Sequence, residues 1–155
     1  MKPEIINTTP DCEIVAPRVV NAPVELVFLA WTEPEHLKTW WGPAGYTNTI
    51  NEYDLRPGGR WSFIMYGPNK GNYPNECEFV KINKPFMLVW NHLSKPAFQF
   101  VANFDKLSGD TTRVTFKLVF ETVELCNKVS AYAPEKNEEN LDKLEVELEK
   151  MKKTF

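Results

Sequence analysis

The chain has 155 residues with 18 basic and 21 acidic side chains, a net charge of −3 and a pI near 5.5, which argues against a protein built to grip phosphate backbones. Mean hydropathy is −0.39, and no stretch approaches the ~20 apolar residues that a membrane-spanning helix needs. The length suits one domain (1–155, with a flexible terminus at 1–11), and 13% aromatics against only seven glycines predict a well-filled core.

Residues 12–22 (CEIVAPRVVNA) are rich in β-branched side chains and predict a first strand, with Pro17 marking an edge or a bulge. Pro23 suits the first position of a helix, whose apolar stripe is Val24, Val27, Phe28 and Trp31. Thr32-Glu33-Pro34-Glu35 reads as a capping box that opens a second short helix, stopped by Gly42-Pro43. From residue 45 to 120 the spacing changes to alternation. Trp61, Phe63 and Met65 share one face of 60–66; Phe98, Phe100, Ala102 and Phe104 share one face of 97–104. Val114, Phe116, Leu118 and Phe120 do the same in 111–120. Less regular strands are expected at 46–55, 75–82 and 86–93. Short Gly/Pro/Asn connectors make all six an antiparallel meander, because parallel crossovers need a dozen residues or more. After Val123 the pattern turns helical again, and 134–153 places Leu141, Leu144, Leu148 and Met151 on one narrow face. Glu135, Glu138 and Glu139 sit early and Lys150, Lys152 and Lys153 late, in accord with the helix dipole. The predicted class is α+β, in the order β-α-α-β6-α, with one curved antiparallel sheet around a long C-terminal helix.

Two stretches carry a resemblance. Residues 22–43 (APVELVFLAWTEPEHLKTWWGP) and 54–61 (DLRPGGRW) resemble the Hsp90-ATPase-activator-homologue branch of the START-like, or SRPBCC, superfamily. The shared pieces are Ala30-Trp31-Thr32, the Pro-Glu-His-Leu of 34–37, the Trp-Trp-Gly-Pro of 40–43 and the Arg-Pro-Gly-Gly of 56–59. The resemblance implies the helix-grip (START/Bet v 1-like) fold, with a hydrophobic cavity between sheet and last helix. It does not imply a single activity. Where the branch commonly carries a Gly-Trp pair before the last helix's first Leu, this chain has Lys136-Asn137, which removes an aromatic from the helix–sheet junction. A Gly common in the branch is replaced within Asn75-Glu76-Cys77.

Little here suits catalysis. Cys12, Cys77 and Cys126 form no CxxC or zinc spacing and read as reduced thiols; no metal site and no cofactor are predicted. His36 reads as a helix-surface or capping residue, whereas His92 shares strand parity with Leu88 and Trp90 and is a hydrogen-bonding group for a ligand at the cavity rim. Asp54 and Arg56 read first as a structural ion pair. With Tyr66 they are the other candidate polar groups of the pocket. No paired carboxylates, Ser-His-Asp set or phosphate loop stands out, so the chain reads as a non-enzyme. The expected function is binding of a small hydrophobic molecule in a cavity of roughly 300–1,000 Å³. The expected lining is Trp31, Trp40, Trp61, Phe63, Met65, Trp90, His92, Phe98, Phe100, Phe116, Leu118, Leu141, Leu144 and Leu148. Two rivals are a co-chaperone contact with an Hsp90-type ATPase and a cyclase- or dehydratase-like enzyme. Eukaryotic activators carry a further N-terminal domain, for which this chain has no room, and that lowers the first rival. The expected location is cytoplasmic, since 1–12 shows no apolar signal segment; nucleic acid and membrane are not expected partners, and a homodimer is left open.

Overall fold

The computed structural model describes residues 10–154. Of the 1–11 segment, residues 1–9 fall outside the described part, and Pro10–Cys12 form one 3-10 turn. The strands are β1 Glu13–Val20, β2 Thr47–Tyr53, β3 Arg60–Tyr66, β4 Asn72–Asn83, β5 Met87–His92, β6 Phe98–Lys106 and β7 Thr112–Val119. The helices are α1 Val24–Thr32, α2 Pro34–Trp40, α3 Val123–Ser130 and α4 Ala133–Thr154. All seven strands join one antiparallel sheet in the order β1-β7-β6-β5-β4-β3-β2. Residues 47–119 thus form the expected meander, and β1 closes onto its last strand.

Proline placement follows the missing N–H. Pro17 sits in β1, which pairs only with β7, so its lost donor lies on an open edge. Pro74 lies in β4 opposite Ile64, but β5 first meets β4 at Cys77. That open edge lets β4 begin before the predicted residue 75. Bulges at Ile50/Glu52 in β2 and Phe79/Lys81 in β4 supply local bend and twist.

One face of the sheet buries Ile14, Ala16, Trp61, Phe63, Phe79, Leu88, Trp90, Phe100, Phe104 and Phe116. On it rest Val27, Phe28 and Trp31 of α1 and Leu141, Leu144, Leu148 and Met151 of α4. Polar ties set the helix in register. Arg18 of β1 bonds Glu138 and Asp142 at 2.7 Å and Glu145 at 3.3 Å, spanning two turns of α4. His36 Nδ1 of α2 lies 2.7 Å from Oε2 of the buried Glu147, so this histidine couples two helices.

Two expectations change. Thr32 is the last residue of α1, and its hydroxyl donates to the Phe28 carbonyl at 2.7 Å. The capping box therefore does not form; Pro34 opens α2 behind Glu33, whose side chain makes no cap bond. Between sheet and last helix stands one additional helix, α3, capped by Thr122 accepting from the Leu125 N–H at 3.2 Å. Its short apolar pair, Cys126 and Val129, is too brief a stripe to stand out in the sequence.

Candidate functional site

Beneath the N-terminal half of α4 the packing leaves a cavity of about 150 Å³. β3 contributes Trp61, Phe63 and Met65, and β4 contributes Asn75 and Cys77. Trp90 and His92 come from β5, Phe98 and Phe100 from β6, and Leu118 from β7. Alternation puts all of these on the concave face, two residues apart along each strand. Asn137 and Asn140 reach it from α4, one turn apart, and Trp41 enters from the α2–β2 connection.

Trp41 explains why the space is smaller than expected. Its ring lies 5.4–5.8 Å from Trp31, Trp40, Trp61, Trp90 and Phe100, and 6.1 Å from Phe116. Trp90 and Phe100 stack at 4.5 Å and 2°, and Trp61 stacks on Phe63 at 4.6 Å. The loop carrying Trp41 is clasped to α4. Asn140 Oδ1 accepts from the Gly42 N–H at 3.2 Å and Glu139 Oε1 from the Ala44 N–H at 3.1 Å. Lys143 Nζ donates to the carbonyls of Pro43 at 3.3 Å and Tyr46 at 3.0 Å. Gly42 permits the turn, with φ of +105°. Burial lowers the Lys143 pKa from its ordinary value.

The polar end of the cavity carries amides, a thiol and an imidazole. Burial pushes the Cys77 thiol far above its usual range, so it stays protonated and a poor nucleophile. Burial also pushes the His92 imidazole below its ordinary value, against the opposing pull of the Pro96 and Ser94 backbone bonds. Its Nδ1 lies 2.9 Å from the Pro96 carbonyl and its Nε2 2.7 Å from Asn75 Oδ1. Asn75 Nδ2 donates to the Tyr73 carbonyl at 2.8 Å, which orients the amide. Both ring nitrogens therefore face acceptors, yet a neutral imidazole has one N–H. The two acceptors favour imidazolium, whereas burial of the ring, the larger influence, disfavours it and sets the net direction downward. The expected NMR titration midpoint of His92 in the folded protein is below the ordinary ~6.5. Because the folded value lies below the unfolded one, the neutral ring's contribution to stability is complete above ~6.5 and is lost as pH falls toward the folded midpoint. A midpoint above 6.5 would show that the two acceptors win. Among the described residues, two buried donors of the lining, Trp61 Nε1 and Asn137 Nδ2, have no hydrogen-bond partner.

Among the residues expected to line a pocket, Trp61, Phe63, Met65, Trp90, His92, Phe98, Phe100 and Leu118 meet at this cavity. Trp31, Trp40, Phe116, Leu141, Leu144 and Leu148 do not line it; they are buried in the solid part of the core. There Trp40 Nε1 donates to the Ala30 carbonyl at 2.8 Å, and Trp31 is ringed by other aromatics. Asp54 and Arg56 pair at 2.7 Å on the exposed β2–β3 connection, away from the cavity. Tyr66 alternates with Met65 and lies on the opposite face of β3. The residues missed were Trp41, Asn75, Cys77, Asn137 and Asn140. A signal existed for the last two: they extend the Leu141–Leu144 stripe by one helical turn toward the N-terminus.

A seven-stranded antiparallel sheet curved around a long C-terminal helix, with two helices inserted after the first strand, defines the helix-grip class of α+β proteins. Within that class the Trp-Trp-Gly-Pro and Arg-Pro-Gly-Gly turns occupy the α2 stop and the β2–β3 hairpin. The chain belongs to the family described as Activator of Hsp90 ATPase homolog 1-like protein, whose model matches residues 21–149. A solved protein from Nitrosomonas europaea has a TM-score of 0.84 at 22% identity, over 94% of this chain and 99% of its own. One from Arthrobacter aurescens has a TM-score of 0.84 at 19% identity, over 97% and 93%. The AHSA1-like protein from Aeromonas hydrophila has a TM-score of 0.72 at 19% identity, over 90% and 93%. Identities this low speak to the fold alone. No curated protein matches the chain. Among the described residues, no helix is long and apolar enough to cross a membrane.

Proposed function

We propose that this protein binds a small, largely apolar molecule in the cavity between the sheet and α4. The observation that carries the reading is a partly open cavity of about 150 Å³ between sheet and α4, walled largely by aromatic side chains with a few polar groups. An apolar cavity of about 150 Å³ accommodates a benzene-sized molecule. The polar groups beside it support holding a ligand more than transforming one: amides, a protonated thiol and a neutral imidazole.

Three of the lining residues are tryptophans, so the emission of Trp41, Trp61 and Trp90 reports occupancy. Titration with single-ring aromatics is expected to give saturable quenching, and native mass spectrometry a one-to-one adduct. Trp41→Ala is expected to enlarge the space and admit two-ring compounds such as naphthalene that the wild type rejects. No saturable signal from either protein across such a panel would overturn the reading. So would stimulation of an Hsp90-type ATPase that is indifferent to filling the cavity, because function would then lie on the surface.

A further inference from the structure

We propose that Lys143 sets the size of molecule the cavity accepts, as a positioning residue that ties the 42–46 loop to α4 and so keeps the Trp41 indole inside. This rests on the binding function proposed above and names the residue that limits its ligand to one ring. Trp31, Trp40, Trp61 and Trp90 are exposed by only 1–3%, whereas Trp41 is half-buried. Its aromatic contacts favour the inward position, but the backbone that follows does not by itself fix it. Gly42 comes next at φ +105°, and Gly45 lies three residues further on at φ +85°. Glycine has other conformations open to it at little steric cost, so this stretch can swing unless something holds it.

Lys143 holds it from both ends. Residues 43–46 close a turn through Tyr46 N–H to Pro43 O at 3.1 Å, with Gly45 third, where a type II turn takes positive φ. Lys143 Nζ donates to the carbonyls of the first and last residues of that turn, Pro43 at 3.3 Å and Tyr46 at 3.0 Å. An ammonium carries three N–H groups, so one lysine can bridge two converging carbonyls. The residue is half-buried, and an ammonium leaves water at a cost that only such acceptors offset. Among the described residues, the side-chain hydrogen bonds of Lys143 go to this loop alone. Asn140 and Glu139 add bonds to Gly42 and Ala44, but Asn140 also walls the cavity and Glu139 also meets Lys136 at 3.8 Å. Asn137, Asn140 and Lys143 follow at three-residue steps, so the helix face that lines the cavity also carries the clasp. With the two charged bonds removed, a glycine-hinged loop and a half-buried indole yield to a second ring.

The test uses the intact protein, its Lys143→Met and Gly45→Ala variants, and toluene and naphthalene as probes in calorimetric titration. Met keeps the apolar stem and removes every donor. The preference for naphthalene over toluene is expected to rise about tenfold or more, the scale of one hydrogen bond to a charged group. Tryptophan emission should shift to the red as the Trp41 indole meets water, a change absent in a Trp41→Phe background. Gly45→Ala strains the same turn through its φ of +85° and is expected to move the preference in the same direction. Asp142→Asn cuts an Arg18 tie to the same helix and should leave the preference unchanged, which separates release of the loop from loosening of α4. Adding Lys143→Met to Trp41→Ala should bring no further gain, since the lysine acts through the indole. A Lys143→Met protein that rejects naphthalene as the wild type does overturns the assignment and leaves binding of single rings standing. Should that variant not fold, the same result from Gly45→Ala overturns it. A further gain in the double variant overturns the route through Trp41. If neither probe binds any of these proteins, the proposed binding function fails and this assignment with it.

Discussion

Replacing Trp31 by Ala is expected to cost about 3–5 kcal/mol of folding free energy, the range for removing a large buried aromatic. Trp31 is 1% exposed, and its ring lies 4.8 Å from Trp40, 5.1 Å from Phe116 and 5.3 Å from Phe104. It also reaches Trp41, Trp90 and Phe100 at 5.8–6.1 Å, so α1, the α2 stop and three central strands all meet on it. No side-chain hydrogen bond is at stake, since its Nε1 has no partner among the described residues. The cost is therefore lost burial and lost dispersion contacts. Trp31→Phe keeps part of the ring contact and removes an unpaired buried donor, so it is expected to cost less than half as much. Against a typical total of about 5–15 kcal/mol, the alanine variant approaches unfolding. Urea denaturation of the three proteins measures this; a loss under about 1 kcal/mol for alanine would show that the aromatic cluster around Trp31 contributes little to stability.

Gly59→Ala is expected to cost more than about 3 kcal/mol, beyond the usual span of single substitutions, while its neighbour Gly58→Ala costs about 1–2 kcal/mol. A Cβ on Gly59 would lie 2.1 Å from the Asp54 carbonyl oxygen and 3.0 Å from that of Arg56. Both obstacles are backbone, and the backbone has nowhere to go. Gly59 N–H donates to Arg56 O at 2.8 Å, and Arg56 N–H donates to Asp54 O at 2.9 Å. The turn is tied to β4 as well, through Gly58 N–H to Phe79 O at 2.8 Å and Phe79 N–H to Gly59 O at 2.9 Å. Gly58 has φ of +84° but nothing within 4 Å of an added Cβ, so only the left-handed backbone is penalised. Paired thermal and urea melts decide the matter: a Gly59 variant no worse than the Gly58 one refutes the close-approach argument. The Arg-Pro-Gly-Gly turn thus needs its two glycines for different reasons.

Much of the fold was readable because its signals are local. Trp61/Phe63/Met65 and Val114/Phe116/Leu118 alternate because a strand does, and the turn residues between strands leave room only for hairpins. Thr32 was misread because a hydroxyl near a helix end has two backbone partners within reach. It took the Phe28 carbonyl inside α1 in place of an N–H in the next helix. The site was less legible. Trp31 and Trp61 are both inward-facing tryptophans, and only one meets a void; filling depends on residues from several elements at once. Trp41 looked like part of a helix stop, yet the extended backbone of that stop is what turns its indole into the cavity. Asn137 and Asn140 were legible only by position, one helical turn before Leu141 and Leu144 on the α4 stripe, because their residue type is not apolar.

The pairing of β1 with β7 places Glu13 opposite Val119 and Val20 opposite Thr112. During synthesis the first strand made must wait for the last, a gap of about 100 residues, or roughly 5–20 s at ~5–20 residues per second. Throughout that interval Ile14, Ala16 and Val20 have no sheet to join, and Pro17 makes the segment a poor template for a stray strand. Nor can the ties from Arg18 to α4 form before that helix has been made. Closure of the sheet and capture of the helix are thus late, long-range events on the folding route, and a slow, cooperative final step is expected of the chain.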